Sequence, residues 1–332
     1  MRYRTFGRTG LRVSELVLGA MTFGEQGGVG APIEECRKIL DAYADAGGNM
    51  IDTAINYRGG ASEEIVGALL EGRRDRFVVS TKYTVTRDAD DPNGGGNHRR
   101  NLRLSLETSL RRLRTDRIDV YWVHIWDRHT PIEETMRALD DAVSKGQILY
   151  CGISDTPAWL VSRANTLAQW RGWTEFAGLQ VPYSLVNRDA ERELLPMAAE
   201  FGMAVTAWSP LGGGMLTGKY EMSETGRLNG ANISAADRAV ARAVKAAADE
   251  LGATPAQVAL AWVRQKGALP MLGARTEAQI RDNLDSLGIE LSSEMSRNLE
   301  AVTAFKAGFP TDFINETSQW VLGKAALESD RQ

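Results

Sequence analysis

Polar side chains end several short apolar runs of this 332-residue chain. Asp52, Lys82 and His124 each end such a run. Lys82 directly follows an apolar run that is expected to be buried, and a lysine is almost never fully buried unless it is paired. A partnership with Asp52 would satisfy Lys82 and give its charge a chemical use. The alternatives are that Asp52 only caps a turn and that His124 is a structural histidine. Other polar residues hold comparable positions and are candidates for the same site: Ser154, Asp155, Gln180, Ser209 and Arg275.

The spacing of the remaining candidates does not support metal-dependent or serine-hydrolase chemistry. The chain has three histidines, His98, His124 and His129, without the HExxH spacing of a zinc site. No serine lies in the GxSxG context of a hydrolase nucleophile. The two cysteines, Cys36 and Cys151, form no CxxC motif and no disulfide framework, and their apolar surroundings predict that both are buried.

Two segments of the chain are suited to a phosphate group. Gly213–Lys219 spells GxxxxGK, but Tyr220 stands where the P-loop needs Ser or Thr, so we reject a nucleoside triphosphatase. A glycine-rich loop with one lysine could still hold a phosphate-bearing cofactor. Arg275 precedes a predicted helix, where the helix dipole and the guanidinium favour a phosphate, unless Arg275 forms a surface ion pair. Two such segments at neighbouring positions indicate a dinucleotide.

The elements that must position these residues follow an alternating pattern. Eight short apolar runs alternate with amphipathic stretches that carry helix-start signals, which is typical of parallel strands covered by helices. The predicted strands span residues 16–19, 49–52, 77–81, 119–124, 149–153, 177–180, 204–207 and 269–272. Helical patterns begin near residues 32, 62, 131 and 156 and continue over 189–201 and 276–287. A turn at 7–10, between runs at 3–6 and 11–13, predicts an N-terminal hairpin.

This pattern predicts an α/β fold, a (β/α)8 TIM barrel with an N-terminal β-hairpin and a C-terminal helix or tail. The rival is a doubly wound sheet with a dinucleotide domain, but its GxGxxG fingerprint is absent from the first turn, Gly19–Gly24. No linker, charge block or repeat marks a boundary, so residues 1–332 are predicted to form one domain. In such barrels the chemistry occurs at the C-terminal ends of the strands, where the polar candidates lie.

Composition and charge narrow the range of partners. The net charge, 39 − 43 = −4, gives no basic excess for nucleic acid or an anionic membrane. Hydrophobic residues make up 43% and charged residues 25%, as in a globular rather than a disordered chain. The chain lacks the roughly 18 consecutive apolar residues of a membrane span. Charges interrupt the N-terminal stretch where a signal peptide needs an apolar core, so we expect a cytoplasmic protein.

These residues occur in motifs that resemble the aldo-keto reductase family, especially its bacterial branch, which is similar to aryl-alcohol dehydrogenases and potassium-channel β-subunits. The resemblance extends from Arg4 to Asn283, which is nearly the whole chain. It is carried by segments at predicted strand ends: Leu18–Gly24, Asp52-Thr-Ala-x-x-Tyr57, Ser80-Thr-Lys82, Asp119-Val-Tyr-x-x-His124, Gly152-Ile-Ser154, Gln180-x-x-Tyr183, Trp208–Gly212 and Gly218-Lys-Tyr220.

The family's catalytic tetrad of Asp, Tyr, Lys and His matches Asp52, Tyr57, Lys82 and His124. The resemblance implies that Tyr57 gives a proton to the carbonyl oxygen of a substrate while a hydride reaches the carbon. Negative charge builds on that oxygen, so a proton donor and a positive field stabilise it. A free tyrosine is a weak acid, and the ammonium of Lys82 would favour its phenolate. Asp52 would keep Lys82 charged, and His124 would donate to the carbonyl and orient it.

The resemblance also implies an extended NADP(H) cofactor that binds without a Rossmann fingerprint. Tyr183 would stack on the nicotinamide, while Ser154, Asp155 and Gln180 would hold its carboxamide. Asp155 departs from the usual Asn of the family, and an ionised carboxylate accepts hydrogen bonds but donates none. Arg275 favours NADP(H) over NAD(H), since a guanidinium pairs with the extra phosphate. The remaining implied cofactor-binding residues are Met21, Thr22, Asp52, Trp208, Ser209, Pro210, Leu211, Gly212, Lys219, Gly273, Gln279, Asp282 and Asn283.

The substrate implied by the resemblance is a small molecule with an aldehyde, ketone or ketosugar carbonyl. Variable aromatic positions would form an apolar or sugar-stacking pocket: Phe23 and Trp126, with Phe309, Phe313 and Trp320 in the C-terminal tail. One alternative function is a cofactor-binding regulatory subunit similar to the channel β-subunits, and another is a deoxysugar enoyl reductase. The complete tetrad favours the carbonyl reductase. The glycines Gly94–Gly96 have no role that the sequence assigns.

Overall fold

Eight parallel strands close into a barrel in the computed structural model, which describes residues 1–28, 30–218, 233–303 and 305–323. Strands that follow one another along the chain pair side by side, and the last pairs with the first. The barrel strands are β3 (Val17–Gly19), β4 (Met50–Asp52), β5 (Val78–Tyr83), β6 (Ile118–Val123), β7 (Ile148–Ser154), β8 (Phe176–Pro182), β9 (Ala204–Trp208) and β10 (Leu269–Gly273). The predicted TIM-barrel fold is confirmed.

The predicted N-terminal hairpin is also present, and it contributes to the core of the barrel. Strands β1 (Tyr3–Thr5) and β2 (Arg12–Ser14) pair antiparallel. Phe6, which follows β1, is fully buried and packs edge-to-face on Trp122 of β6, with ring centroids 6.1 Å apart. A Cβ at Gly152 would lie 2.2 Å from the Trp122 ring, and one at Gly178 would lie 2.4 Å from Phe6. Both glycines therefore make room for the two aromatic side chains inside the barrel.

Helices cover the outside of the barrel. They are α1 (Ile33–Asp45), α2 (Ala61–Leu69), α3 (Arg99–Arg112), α4 (Ile132–Ser144), α5 (Ala158–Arg171), α6 (Leu194–Glu200), α7 (Ala235–Leu251), α8 (Pro255–Gln265), α9 (Glu277–Asp285), α10 (Ser293–Val302) and α11 (Thr311–Leu322). Within the described ranges, no helix is both long enough and apolar enough to cross a membrane.

One helical prediction differs from the structure. The stretch 189–201 is a short 3-10 turn, Asp189–Glu191, followed by α6, which begins only at Leu194. Pro196 explains the late start, because proline has no N–H to donate to an earlier turn. A helix that began at residue 189 would hold Pro196 in its interior, whereas α6 holds it in the first turn, where N–H groups lack intrahelical partners.

The alternation of side chains along the strands brings the chemical candidates into the barrel. Met50 of β4 and Trp122 of β6 belong to an apolar cluster inside the barrel. Because a strand places every second side chain on the same face, Asp52 and His124 project inward one step further toward the C-terminal end. Lys82 reaches the same level from β5, and both Lys82 and Asp52 have no exposed surface. Three candidates from separate strands therefore meet at the end of the barrel where such folds place their chemistry.

Candidate active site

A buried ion pair between Lys82 and Asp52 forms the floor of the candidate site. The Lys82 ammonium donates to Asp52 Oδ2, and both side chains are fully buried. The other carboxylate oxygen, Oδ1, accepts from Ser80 Oγ at 2.6 Å and from Gln180 Nε2 at 3.3 Å. A carboxylate that is bound on both oxygens is fixed in direction and remains a stable counter-charge in a dry environment.

Lys82 connects this pair to Tyr57. Its Nζ donates to the Tyr57 hydroxyl at 3.2 Å and to the Thr53 carbonyl at 2.8 Å, and it lies 4.8 Å from the Tyr57 ring centroid. Burial opposes the charge of Lys82, but attraction to Asp52 and Tyr57 outweighs burial, so the pKa of Lys82 lies above its usual value. Because the phenol oxygen accepts from this ammonium, the phenol proton remains available for a third group.

The turn that carries Tyr57 is anchored by the half-buried side chain of Arg112. The turn spans Tyr57–Gly60, and Arg112 at the end of α3 donates to the Ile55 carbonyl at 2.9 Å. The same guanidinium nitrogen lies 3.3 Å from the carboxylate of Glu63, which is fully buried and whose pKa is raised by burial. Arg112 is one of several arginines in α3, and nothing in the sequence distinguishes it from the others.

Two adjacent glycines offer a test of this anchor. Gly59 and Gly60 both have positive φ, 63° and 102°. A Cβ at Gly60 would lie 2.3 Å from the Arg112 guanidinium, whereas a Cβ at Gly59 would have no other atom within 4 Å. Gly59→Ala is expected to cost only backbone strain, about 1 kcal/mol. Gly60→Ala is expected to cost roughly 2–3 kcal/mol and to lower kcat/KM by about 10- to 100-fold, since its Cβ would push the Arg112 guanidinium away from the Ile55 carbonyl and so loosen the turn that carries Tyr57.

Urea unfolding and steady-state kinetics of the two variants measure these effects. Equal losses of activity in Gly59→Ala and Gly60→Ala would contradict a role of the Arg112 contact in placing Tyr57.

His124 faces Tyr57 across the site. The two rings are perpendicular, at 79°, with centroids 6.0 Å apart. Burial, and next the positive charge of Lys82, lower the pKa of His124 to about 3. His124 is therefore a neutral imidazole at physiological pH, which can donate a hydrogen bond but adds no charge. Its Nδ1 is buried and has no hydrogen-bond partner among the described residues.

The lowered pKa of His124 predicts a pH-dependent stability. In the unfolded chain the pKa of His124 is near 6.5, so the imidazole binds a proton below that pH. In the folded chain it binds the proton only near pH 3, because its pKa is lowered to about 3. Stability is thus fully present above pH ~6.5 and is lost as the pH falls, by up to about 1.4 kcal/mol per pH unit. His124→Gln is expected to flatten this slope in urea unfolding between pH 6.5 and 4.5, whereas His129→Gln, at an exposed position, keeps it. An unchanged slope in His124→Gln would show that the buried imidazole is not its source.

The glycine-rich loop before α3 is hydrogen-bonded to the segment that follows His124. Asn97 is buried, its backbone N–H donates to Asp127 Oδ2 at 2.7 Å, and its side-chain oxygen accepts from the Asp127 N–H at 2.8 Å. Its Nδ2 donates at 3.0 Å to Thr84 Oγ1, which also accepts from the His124 N–H at 3.3 Å. Gly96 permits this approach, since its φ is 94° and a Cβ would lie 3.0 Å from Asp127. Sequence reasoning missed Asn97 and Asp127, and the glycine run beside Asn97 was the only signal that could have found them.

The ends of β7, β8 and β9 form a polar and aromatic wall beside the ion pair. Ser154 and Gln180 are buried at the ends of their strands, and Gln180 contacts Asp52 directly. Trp208 is half-buried at the end of β9, and its Nε1 donates to Asp155 Oδ1 at 3.3 Å. These residues present amide, hydroxyl and indole groups of the kind that hold a planar heterocycle with a carboxamide.

Two residues implied by the resemblance do not reach this wall. Tyr183 is fully buried, its hydroxyl donates to Glu191 at 2.7 Å, and its ring packs at 5.2 Å on Trp262. It has no exposed surface on which a nicotinamide could stack, whereas Trp208, at the end of β9, is only half-buried. Phe23 is 1% exposed and belongs to the core between barrel and helices, so it does not line an open pocket.

The turn after β9 has the backbone of an anion-binding loop. Ser209 has a φ of 52°, and Gly212, Gly213 and Gly214 have φ values of 57°, 68° and 99°. Such positive values favour glycine and allow a backbone to approach a ligand closely. Pro210 is buried and Leu211 half-buried beside this turn. The predicted ligand Lys219 lies outside the described residues.

The entrance of α9 supplies a cation and the start of a helix. Arg275 is exposed, and its guanidinium pairs with no carboxylate in the parts of the chain that the structure describes. Its backbone N–H donates to Gln279 Oε1 at 2.8 Å, and Asn283 Nδ2 donates to the Gly273 carbonyl at 3.3 Å. Thr22 Oγ1 donates to the Ala274 carbonyl at 2.6 Å, which ties the end of β3 to this entrance.

Two further implied cofactor residues are engaged within the protein. Asp282 accepts from Thr254 Oγ1 at 3.1 Å and from Gln257 Nε2 at 2.8 Å, both at the start of α8. Its carboxylate therefore joins α9 to α8. Met21 is half-buried, and its carbonyl accepts from Arg58 Nε at 3.1 Å.

Tryptophans form a second wall at the mouth of the barrel. Trp126, two residues after His124, packs edge-to-face on Trp159 with centroids 5.8 Å apart, and Trp159 is 57% exposed. The C-terminal aromatic residues are arranged differently. Phe309, just before α11, and Trp320 are more than 80% exposed, and both pack against Phe313 in an exposed aromatic cluster.

Comparison with known proteins agrees with this geometry. The model of the aldo/keto reductase family matches residues 15–304. A putative aryl-alcohol dehydrogenase, AAD14 of Saccharomyces cerevisiae, is 37% identical over 95% of this chain and 90% of the yeast protein. The norsolorinic acid reductase stcV of Emericella nidulans is 38% identical over 93% of this chain and 83% of its own length. The aryl-alcohol dehydrogenase GME11368 of Pestalotiopsis microspora is 38% identical, with 92% and 82% covered. These relatives are fungal rather than bacterial.

The match covers all eight strands of the barrel and the residues that follow their C-terminal ends. The names of the family and of these relatives describe oxidoreductases. The arrangement of Tyr57, Lys82 and His124 around one cleft agrees with that chemistry. This chain is an enzyme that reduces carbonyl groups with a nicotinamide cofactor, and it belongs to the aldo/keto reductase family.

Proposed function

We propose that this protein reduces an aldehyde or ketone with NADPH, and that Tyr57 donates the proton. The observation that carries this proposal is the contact of the Lys82 ammonium with the Tyr57 hydroxyl at 3.2 Å, beside the neutral His124. NADPH, when bound, supplies the hydride that the carbonyl carbon accepts. Tyr57 gives its proton to the carbonyl oxygen, and the charge of Lys82 stabilises the phenolate that remains. Asp52 keeps the ammonium charged and in place.

The polar wall supports a specific orientation of the cofactor. Trp208 would stack on the nicotinamide in place of the buried Tyr183, and Ser154 and Gln180 would hold the carboxamide. The loop Ser209–Gly212 suits the pyrophosphate, because its backbone is open to close approach. The 2′-phosphate would bind at the start of α9, with Gln279, Asn283 and Gly273 beside it. Among these residues, Arg275 carries the charge that distinguishes NADPH from NADH.

Arg275→Ala is the test of cofactor preference. The variant is expected to weaken NADPH binding by roughly 10- to 100-fold, the equivalent of one charge-assisted contact, and to leave NADH binding almost unchanged. Arg281→Ala is a matched control, because Arg281 lies on the same helix but already pairs with Glu277 at 2.7 Å. Calorimetric titration with both nucleotides measures the effect. Equal losses for NADPH and NADH would place Arg275 away from the 2′-phosphate.

The substrate side of the site favours a carbonyl with an apolar or aromatic group. Trp126 and Trp159 offer two perpendicular aromatic rings near His124, and the partly exposed Trp159 lets an aromatic group of a substrate pack against them. Two of the relatives are named aryl-alcohol dehydrogenases, which is consistent with this class. We therefore propose aryl aldehydes and ketones as the first substrates to examine.

NADPH oxidation against aldehydes, ketones and nucleotide-linked ketosugars tests the activity. Turnover with at least one carbonyl is expected, with aryl aldehydes among the best. Tight NADPH binding without any turnover would contradict the proposal and favour a regulatory cofactor-binding subunit. Reduction of a carbon–carbon double bond in place of a carbonyl would favour the enoyl reductase.

A further inference from the structure

Asp155 is a carboxylate in an unusual place. It follows β7, where the residue has a φ of 40°, in the left-handed region that side chains other than glycine adopt with strain. Its Oδ1 accepts from Trp208 Nε1 at 3.3 Å. The carboxylate therefore lies against the aromatic ring that we assign to the nicotinamide, and this contact holds it there.

The charges around Asp155 leave its carboxylate uncompensated. On β4 and β5, Asp52 and Lys82 neutralise each other. After β6, His124 is neutral, and the Tyr57 phenol beside it carries no charge that could pair with Asp155. Among the described residues, Asp155 forms no ion pair. Burial raises the pKa of Asp155, and the hydrogen bonds from Trp208 and Ser154 and the more distant charge of Lys82 only partly oppose this. A cation that entered the wall would therefore find an unpaired acid beside it.

We propose that Asp155 makes this site bind the oxidised nicotinamide cofactor in preference to the reduced one. The proposal rests on the proposed function, which assigns the nicotinamide to the wall of Trp208, Ser154 and Gln180. The oxidised ring carries a positive charge and the reduced ring carries none, so a carboxylate beside the ring attracts only the oxidised form. The two forms share the adenosine, the phosphates and their contacts, which cancel in the ratio of their affinities.

This preference has a consequence for the reaction. Tighter binding of the oxidised form means, by linkage, that the bound reduced form is a stronger hydride donor than it is in solution. Asp155 would thus favour carbonyl reduction over alcohol oxidation in the complex, and it would slow the release of the oxidised cofactor. An amide at this position would not supply the charge.

The test compares NADP+ and NADPH binding to the wild type and to Asp155→Asn by calorimetric titration. The substitution keeps an oxygen that accepts from Trp208, removes the charge and replaces the second oxygen by an NH2 donor; a donor contact to the carboxamide is common to both nucleotides and cancels in the ratio of their affinities. The ratio of the NADPH Kd to the NADP+ Kd is expected to fall by about tenfold, the size of a partly screened charge pair. Asp90→Asn, at an exposed position in the loop after β5, removes the same charge and is expected to leave the ratio unchanged.

A second measurement uses the wild type alone and does not depend on how the variant folds. Where Asp155 is partly protonated, binding of NADP+ is expected to release a proton that binding of NADPH does not release. Titrations in two buffers of different ionisation enthalpy, repeated at a series of decreasing pH values, measure this release. The preference for NADP+ is expected to weaken as the pH falls, because protonation removes the charge of Asp155, whose pKa is raised by burial, whereas His124 stays neutral until the pH approaches its lowered pKa of about 3.

The outcomes separate the two proposals. If neither nucleotide binds the wild type, the proposed cofactor function is wrong and the role of Asp155 fails with it. If both nucleotides bind but the ratio is the same in Asp155→Asn, or no extra proton is released with NADP+, the role of Asp155 alone is overturned.

Discussion

Tyr57→Phe is expected to lower kcat/KM for carbonyl reduction by about 10³-fold while the Kd for NADPH changes by no more than about twofold. The substitution removes one oxygen and leaves the ring that lies 4.8 Å from the Lys82 ammonium. A carbonyl oxygen that gains negative charge would then find no proton donor. Because Tyr57 is assigned no contact with the nucleotide, cofactor binding should persist.

A matched control isolates the role of this hydroxyl. Tyr150 is a half-buried tyrosine on β7, so Tyr150→Phe makes the same chemical change away from the site and is expected to keep wild-type activity. Retained reduction by Tyr57→Phe, within about tenfold of the wild type, would remove Tyr57 from the role of proton donor.

Lys82→Met is expected to destabilise the protein by roughly 3–5 kcal/mol and to abolish measurable reduction. The Asp52 carboxylate would stay buried without its cation, and an uncompensated buried charge is among the most costly defects in a protein. The double variant Lys82→Met with Asp52→Asn removes both charges, and the amide oxygen of the new side chain would still accept from Ser80. We expect it to recover most of the lost stability and none of the activity.

This pair of variants separates structure from chemistry. Urea unfolding reports the stability, and NADPH oxidation reports the activity of the same preparations. Recovery of activity together with stability in the double variant would mean that Lys82 supports the fold rather than the reaction.

The barrel could be predicted because its strands are short apolar runs buried on both faces. The predicted run 119–124 corresponds to β6, Ile118–Val123, and the other strands agree with their runs to within two residues at each end. The helix predicted over 189–201 was wrong in its start, because apolar periodicity does not reveal that Pro196 has no backbone N–H to donate. Apolar patterns therefore predict helices and strands well where burial is uniform along the element. They predict an element boundary poorly where a single backbone N–H determines it.

The site could be predicted in part for the same reason. Asp52, Lys82 and His124 are conspicuous because charged or polar residues rarely end a buried strand. Tyr57 is not conspicuous, since its position depends on Arg112, which lies far from it in the chain. Tyr183 illustrates the opposite error: it belongs to a matching motif, but its ring turns into the core against Trp262. Which way a side chain turns after a strand ends depends on distant contacts that spacing does not encode.

Direct hydride transfer from the cofactor to a carbonyl carbon is tested by following the transferred hydrogen. NADPH that carries deuterium at the transferable position of the nicotinamide is incubated with the enzyme and an aryl aldehyde, and the alcohol is analysed by mass spectrometry. We expect one deuterium on the carbinol carbon, delivered from one face of the nicotinamide only, and formation of this product about 10³-fold more slowly with Tyr57→Phe. An alcohol without deuterium would contradict direct hydride transfer from the cofactor to the carbonyl, and with it the function proposed for this site.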